Sequence, residues 1–408
     1  MKKFFLTIAL FFSFAIANAQ FKNDNVLYKN IDPFQLCSAL QTSPGYILLD
    51  VRSPGEYSDT SSSGYNYGHF KNAININIRE LDKRIHELDV YKDKPIFVYC
   101  SHSQRSRRVS KMLSDSGFTN INNVNGGITA FHYLSAIEKN DCLKKLYETN
   151  NTYNFISPAA LCKKLTTEPT NIFLLDVRND SLFKHISLDE KENAMGTITG
   201  SINIPLKDIS SNISKIPLDK EIVLIDIYGH DAATAAVMLA GKGYKKLHVL
   251  MEGIDRWLAM DERNTPCMNT AYTASVSYNL LPVTTFSNWI KGGKEITIVD
   301  IRTDDELLNK HKDKYRNVGH IKKSLHIPAT DIEKRWEELS KYKNSEIVLY
   351  GFGGGTETFS AAKTLSSKGF TKINVLIDGI FAMRWTAGNI DGYSWMKDLV
   401  EDTPEENR

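Results

Sequence analysis

The stretch Leu48-Leu49-Asp50-Val51-Arg52 decides the fold of this 408-residue chain because it is repeated. It recurs as Leu174-Leu175-Asp176-Val177-Arg178 and as Ile298-Val299-Asp300-Ile301-Arg302, at intervals of roughly 126 residues. Each copy is a continuous apolar run that ends in aspartate and arginine, and such runs are typical of parallel strands buried on both faces. We expect Asp50 and Arg52 to form an ion pair that braces the following loop.

The segments around these strands are repeated as well. A second apolar strand recurs as Pro95–Tyr99, Glu221–Ile225 and Glu346–Tyr350, and the helix predicted after each of them ends at a glycine. Alternating strands and helices predict an α/β fold, with a parallel sheet flanked by helices in each of three tandem domains. We place these domains at residues 20–150, 151–270 and 271–400, and we expect residues 401–408 to be a disordered tail.

The first residues have the pattern of a targeting segment. Two lysines precede the apolar segment 4–16, and small residues end it at Ala19, so we interpret residues 1–19 as a signal peptide. The protein is then expected to be exported, either periplasmic or secreted, with no membrane span in the mature chain. The net charge of +2 gives no reason to expect nucleic acid as a partner.

The chain has five cysteines, an odd number, and exported proteins tend to pair theirs. Their spacing does not reveal which of Cys37, Cys142, Cys162 and Cys267 form disulfides. None of them forms a C-x-x-C pair, so neither a zinc site nor a dithiol centre is predicted, and no metal or organic cofactor is implied. Cys100 is our candidate for the free, reactive thiol.

Cys100 ends the strand Pro95–Tyr99 and opens the loop Cys100-Ser101-His102-Ser103-Gln104-Arg105-Ser106, after which a helix is predicted. Backbone N–H groups of such a loop and of the next helix point at the sulfur, which favours a thiolate and an anion beside it. The arginine and the polar loop argue against burial of the cysteine in the core. This layout predicts a nucleophile with an anion pocket, and we expect His102 to be exposed.

Together these motifs resemble the rhodanese (sulfurtransferase) family over nearly the whole mature chain. The resemblance is carried by Asp50-Val51-Arg52 with Glu56-Tyr57, by Gly68-His69-Phe70, by the loop from Cys100 to Ser106, and by Asn125-Gly126-Gly127. It implies that a cysteine takes a sulfur atom from a donor such as thiosulfate and forms a persulfide. The sulfur would then pass to cyanide, a thiol or a protein partner.

The resemblance also implies a role for each site residue. Cys100 would be the nucleophile, Arg105 the anion binder, and Ser101, His102, Ser103 and Gln104 the cradle, which Ser106 completes. Asp50, Arg52 and His69 would support the site structurally. The family loop usually has glycine at the position of Ser103, so this serine requires either a negative φ or tolerated strain.

The second and third copies lack the residues of this chemistry. Asp226 and Gly351 occupy the cysteine position, and Asp231 and Glu357 occupy the arginine position. Without a thiol there is no nucleophile, and an acid would repel an anionic donor. We therefore expect these two domains to be inactive.

Two other functions remain open. Because two of three domains lack the nucleophile, the chain could be a non-enzymatic sulfur carrier, a redox-sensing module or an interaction protein. A phosphatase or arsenate reductase also pairs cysteine with arginine around an oxyanion. Four residues separate Cys100 from Arg105 here, one fewer than is typical of those enzymes.

Overall fold

The computed structural model describes residues 26–62, 65–137, 141–260, 267, 270–390 and 392–404. Along the chain it forms three five-stranded parallel sheets, each flanked by helices. The predicted α/β class and the three tandem domains are confirmed. The predicted signal peptide lies outside the described residues. Within the described part of the chain, no helix has the length and apolar character needed to cross a membrane.

In the first domain, the three inner strands are buried because they have neighbours on both sides and helices on both faces. The strands, in sheet order, are Lys29–Ile31, Ile121–Val124, Ile96–Tyr99, Ile47–Asp50 and Ile74–Asn75. The α-helices are Leu36–Gln41, Pro54–Tyr57, Leu81–Arg84, Gln104–Asp115, Gly127–Ile137 and Asp141–Leu146, with 3-10 turns at Pro33–Gln35 and Ile85–Tyr91. Asp50 pairs in register with Tyr99, so the residues after both strands meet at one edge of the sheet.

The second domain repeats this plan. Its strands, in sheet order, are Ile202–Asn203, Ile172–Asp176, Glu221–Ile225, Leu247–Leu250 and Asn154–Ile156. Its α-helices are Pro158–Thr167, Asp180–Phe183, Glu190–Ala194, His230–Gly241 and Gly253–Ala259, with 3-10 turns at Pro169–Asn171, Leu206–Asp208 and Ser210–Lys215.

The third domain has the same strand order as the first. Its strands are Asn279–Leu281, Ile373–Leu376, Ile347–Tyr350, Thr297–Asp300 and Leu325–His326. Its α-helices are Val283–Lys291, Asp304–Leu307, Ile332–Arg335, Thr356–Ser367 and Gly379–Asn389, with 3-10 turns at Lys314–Arg316, Trp336–Tyr342 and Ser394–Leu399.

A short antiparallel ribbon joins the end of each domain to its middle. The pairs are His69–Phe70 with Tyr147–Glu148, Thr197–Ile198 with Tyr272–Thr273, and His320–Ile321 with Val400–Glu401. The second domain therefore extends slightly beyond the predicted boundary at 270. The prediction of a disordered tail from residue 401 was wrong at its start, because Glu401 pairs with His320 and Thr403 is buried. Residues 405–408 lie outside the described part.

Two disulfides occupy equivalent places in the first two domains. Cys37 pairs with Cys142 and Cys162 with Cys267, in both cases across 105 residues of sequence. Cys100 is the free cysteine, as predicted. The disulfide pairing, which the sequence left open, is therefore equivalent in the two repeats. Each disulfide connects the beginning of one domain to its end.

The domains also pack against one another. Met251 of the second domain lies in the apolar cluster of the first, and Ile377 of the third lies in that of the second. These shared cores place elements of the second domain beside the loop that follows Cys100.

Candidate active site

Cys100 lies at the carboxyl end of the strand Ile96–Tyr99, with only 1% of its surface exposed. It belongs to an apolar cluster that includes Leu49, Val51 and Val109. Cys100 therefore lies in the core, and the prediction that the polar loop would keep it out of the core was wrong. The loop side chains have their own partners, while apolar residues of the strands and the following helix bury the thiol.

The sulfur has two polar partners. The backbone N–H of Ser103 donates to Sγ at 3.1 Å, and the thiol lies 3.6 Å from Oγ of Ser106. That hydroxyl in turn lies 2.6 Å from Oδ1 of the buried Asn123. The predicted cradle thus contributes one backbone N–H, that of Ser103, to stabilise negative charge on sulfur. The hydroxyl of Ser106 donates to Asn123 and accepts from the thiol.

Ser103 adopts the left-handed conformation, with φ of +86°. An L-residue pays for this conformation in steric strain. Two hydrogen bonds of the serine hydroxyl offset the strain, one accepted from the N–H of Gly126 and one donated to Oδ1 of Asn125 at 3.4 Å. The sequence left open whether Ser103 has a negative φ or tolerates strain, and the structure shows the strained conformation.

Arg105 is paired with a carboxylate of the same site. Its guanidinium makes two 2.7 Å hydrogen bonds to Glu56 and one of 2.9 Å to Oγ of Ser101. Burial favours the neutral form of Glu56, but the bonds from Arg105 and from Ser53 hold the pKa of Glu56 below its usual value. The predicted anion binder thus has its charge largely balanced, by a partner that the sequence analysis named only as part of a motif.

An open cavity of about 330 Å³ lies beside Arg105. Its lining includes Glu56, Tyr65, Asn77 and the exposed Arg79. Arg79 was not predicted as a site residue, because in the sequence it is one basic residue among many. This cavity thus has two guanidinium groups and one carboxylate in its lining, beside the loop that follows Cys100.

His102 is a loop residue whose side chain is 37% exposed, so the prediction of an exposed residue holds in part, but its ring also contacts the second domain. Its Nε2 lies 2.6 Å from Oε1 of Glu252, whose other oxygen accepts from the hydroxyl of Tyr133. Burial raises the pKa of Glu252, but these bonds and the charge of Arg256 outweigh that effect and lower it to about 2. Sequence reasoning missed this partner because it lies 150 residues away, in a domain without the nucleophile.

The predicted ion pair between Asp50 and Arg52 is confirmed. The two side chains are fully buried, with 2.6 Å between Nη2 and Oδ2, and Arg52 also donates to the carbonyl of Gly68. The same pair forms in the other two domains at 2.7 and 2.6 Å. His69 lies in the closing ribbon, where its ring packs on that of Tyr57.

In the second domain, a carboxylate fills the equivalent of the sulfur position. Asp226 accepts backbone N–H bonds from Gly229, Asp231 and Ala232. Burial raises the pKa of Asp226, against the effect of these bonds. In the third domain, Gly351 provides no side chain at this position. Across the described residues, no group of three or more His, Cys, Asp or Glu side chains is placed to hold a metal ion.

Comparison with known proteins agrees with this architecture. The sequence profile of the Rhodanese-like domain matches residues 35–133, 157–260 and 283–384. The chain belongs to this family.

Individual relatives match only parts of the chain. A tRNA uridine(34) hydroxylase of Cytophaga hutchinsonii is 30% identical over 106 residues, which are 25% of this chain and 31% of the relative. The uncharacterized protein YqhL of Bacillus subtilis is 38% identical over 80 residues, 20% of this chain and 56% of the relative. The chain thus spans about a third and about half of the lengths of these relatives.

Solved structures with a related fold include a thiosulfate sulfurtransferase from Pseudomonas aeruginosa. It is 16% identical, with a TM-score of 0.23, and the match covers 87% of this chain and 65% of that one. A rhodanese-related protein from Thermoplasma volcanium is 34% identical, with a TM-score of 0.21, over 25% of this chain and 87% of that one.

Proposed function

We propose that this protein is a sulfurtransferase that carries sulfur as a persulfide on Cys100. The observation that supports this most is the placement of the single free thiol. Four of the five cysteines are in disulfides, and the fifth lies where a strand ends, with the N–H of Ser103 directed at its sulfur. Membership of the rhodanese-like family supports the same chemistry.

The proposed reaction has two half-reactions. The Cys100 thiolate attacks the outer sulfur of thiosulfate or a similar donor, forming a new S–S bond while the donor's S–S bond breaks. Sulfite leaves with the bonding electron pair. An acceptor thiolate or cyanide then attacks the outer sulfur of the persulfide, and the Cys100 thiolate is restored. The N–H of Ser103 stabilises the charge on sulfur in both steps.

Arg79 and Arg105 would orient the anionic donor from the cavity that they line. Arg105 keeps its place through Glu56, so the donor would meet a guanidinium already fixed in position. The net positive charge of the entrance is smaller than two arginines alone would give, because one of them is paired.

We also propose that the protein acts outside the cytoplasm. Two disulfides at equivalent positions are typical of proteins that mature in an oxidising compartment. The lysines and apolar segment at the start of the sequence favour export as well. Fractionation of cells that express the full chain tests this proposal, and a reduced, uncleaved protein in the cytoplasm would contradict it.

Intact mass spectrometry after incubation with thiosulfate tests the reaction, with Cys100→Ser as the control. We expect the parent protein to gain one sulfur atom, which cyanide removes, and the variant to gain none. Absence of any adduct on a thiol shown to be free would overturn the proposal. A persulfide that cyanide and small thiols leave untouched, but a protein acceptor discharges, would assign the carrier function instead.

A further inference from the structure

Arg107 is a buried cation that pairs with no carboxylate in the described part of the chain. It lies in the helix Gln104–Asp115, two residues after Arg105, with 6% of its surface exposed. Its Nη2 donates to Oδ1 of Asn125 at 2.9 Å, while Nε and Nη1 are buried with no hydrogen-bond partner among the described residues. Burying a charge in this way costs free energy unless an opposite charge lies nearby.

Of the residues that the structure describes, the ionisable groups of opposite charge that act on this guanidinium are Tyr28 and Cys100. Burial raises the pKa of Tyr28, with Arg107 opposing the shift only in part, so the phenol is neutral near pH 7. The neighbouring Arg105 is paired with Glu56. The sulfur of Cys100 is therefore the group whose negative charge Arg107 is placed to balance.

A short chain of contacts connects the two residues. Asn125 accepts hydrogen bonds from both Arg107 and the hydroxyl of Ser103 through its Oδ1 atom. Ser103 is the residue whose N–H donates to the Cys100 sulfur. Arg107 thus also anchors the strained residue that contacts the sulfur.

The repeats in this chain provide an internal comparison. The helix that follows the loop has the same length in all three domains, so Arg107 corresponds to Ala233 and Phe359. Asn125, which holds Arg107, corresponds to Met251 and Ile377. The buried arginine and its amide partner occur together in the domain that has the cysteine, and apolar residues replace both in the domains without it.

We infer that Arg107 is a positioning residue that balances the anionic sulfur of Cys100 from inside the domain, both as thiolate and as persulfide. The persulfide part of this inference rests on the proposed function. The thiolate part does not, and it can be measured without any sulfur donor.

The test is the pH profile of Cys100 alkylation by iodoacetamide, followed by intact mass. Arg107→Gln removes the charge but keeps an N–H for Asn125, and Arg107→Lys keeps a positive charge at this position. Arg108→Gln is the control, because it removes a charge from the exposed neighbouring residue. We expect Arg107→Gln to move the midpoint of the profile to higher pH by about one unit, which makes the reaction about tenfold slower at pH values below both midpoints. Arg107→Lys should recover most of this rate, and Arg108→Gln should match the parent protein.

The midpoint of the pH profile distinguishes an effect of charge on the Cys100 sulfur from an effect on its accessibility to iodoacetamide. A looser or tighter pocket changes the limiting rate at high pH, whereas loss of a balancing charge moves the midpoint. If Arg107→Gln fails to fold, Arg107→Met gives the same comparison with a side chain suited to burial. A profile of the uncharged variant that superimposes on that of the parent would overturn the inference. A shifted midpoint without sulfur uptake from thiosulfate would instead contradict the proposed function alone.

Discussion

The loops after the central strands of the first and second domains follow the same backbone path around different groups. Ser103 and Gly229 both adopt left-handed conformations, with φ of +86° and +90°, and each directs its N–H at the side chain three residues before it. That side chain is a thiol in Cys100 and a carboxylate in Asp226. The second domain thus keeps the left-handed residue and its N–H although it lacks the cysteine. The conformation of the loop therefore does not depend on the nucleophile.

The surrounding charges are what differ between the two loops. In the first domain, Arg105 is paired with Glu56, and Arg107 lies buried nearby. In the second, the positions of both arginines are taken by Asp231 and Ala233. The proposed sulfur chemistry thus depends on a few side chains added to a loop conformation that the first two domains share.

The largest expected effect is at the group inside the cradle. Cys100→Ser should abolish sulfur uptake from thiosulfate, because no other thiol is free. Asp226→Ser changes the equivalent residue and should leave the rate of uptake within about twofold of the parent, since this residue does not take part in the reaction. Sulfur incorporation measured by intact mass distinguishes the two. Loss of uptake in both variants would show that the second domain shares in the reaction.

The next effect concerns the carboxylate that holds Arg105. Glu56→Gln breaks a capping box and the pair with Arg105, and we expect the free energy of unfolding to fall by about 2 kcal/mol. Glu306→Gln is the matched control, since it breaks the same capping box and a pair with Arg316 in the third domain.

Both variants should lose similar stability in denaturant unfolding, but only Glu56→Gln should slow sulfur uptake, by about tenfold, because Arg105 loses its fixed position. Equal uptake rates in the two variants would mean that Arg105 does not orient the donor.

A third effect compares two acids at equivalent positions. Glu252 and Asp378 both precede a helix with φ near +55°. The pKa of Glu252 is lowered to about 2 by its bonds to His102 and Tyr133 despite burial, whereas burial raises the pKa of Asp378. Because the folded-state pKa of Glu252 is depressed, its stabilisation is complete above about pH 4.5 and is lost as the pH falls towards 2. Asp378 has the opposite sign, since its ionisation at higher pH opposes folding.

We therefore expect Glu252→Gln to lower the free energy of unfolding at pH 7 by about 2 kcal/mol and to weaken the acid sensitivity of the protein. Asp378→Asn should leave stability at pH 7 unchanged or raise it. Thermal unfolding at pH 7 and at about pH 3, within the range where the Glu252 stabilisation is being lost, measures both. A loss of stability of the same size in both variants would show that the two acids act alike.

The sequence alone was sufficient for features that depend on local pattern. Continuous apolar runs and their repetition predicted three parallel sheets, and the recurrence of Asp50 with Arg52 predicted their ion pair, because the two residues lie close together on one strand end. An odd number of cysteines pointed to Cys100 as the free thiol. These predictions need only the spacing of residues within one element.

The features that sequence reasoning missed depend on contacts between distant segments. The burial of Cys100 comes from apolar residues on several elements, and the partner of His102 belongs to another domain. Arg107 lies in a basic run with Arg105 and Arg108, a pattern that fits either a positive entrance to the site or a solvated helix face, yet it is buried. In these cases the tertiary packing decides which member of a polar run faces the interior.

The smallest expected effect is on the free energy of unfolding, when glycine and serine are exchanged at the left-handed position of the two loops. Gly229→Ser should lower the free energy of unfolding by about 1 kcal/mol, since the added side chain meets only ordinary contacts and the cost is backbone strain at φ of +90°. Ser103→Gly should change it by less than about 0.5 kcal/mol, because relief of strain offsets the loss of the bonds to Asn125 and Gly126. Denaturant unfolding of both variants measures the difference. If Ser103→Gly were clearly stabilising, the hydroxyl bonds would not offset the strain, and the serine would have to be retained for its effect on the sulfur.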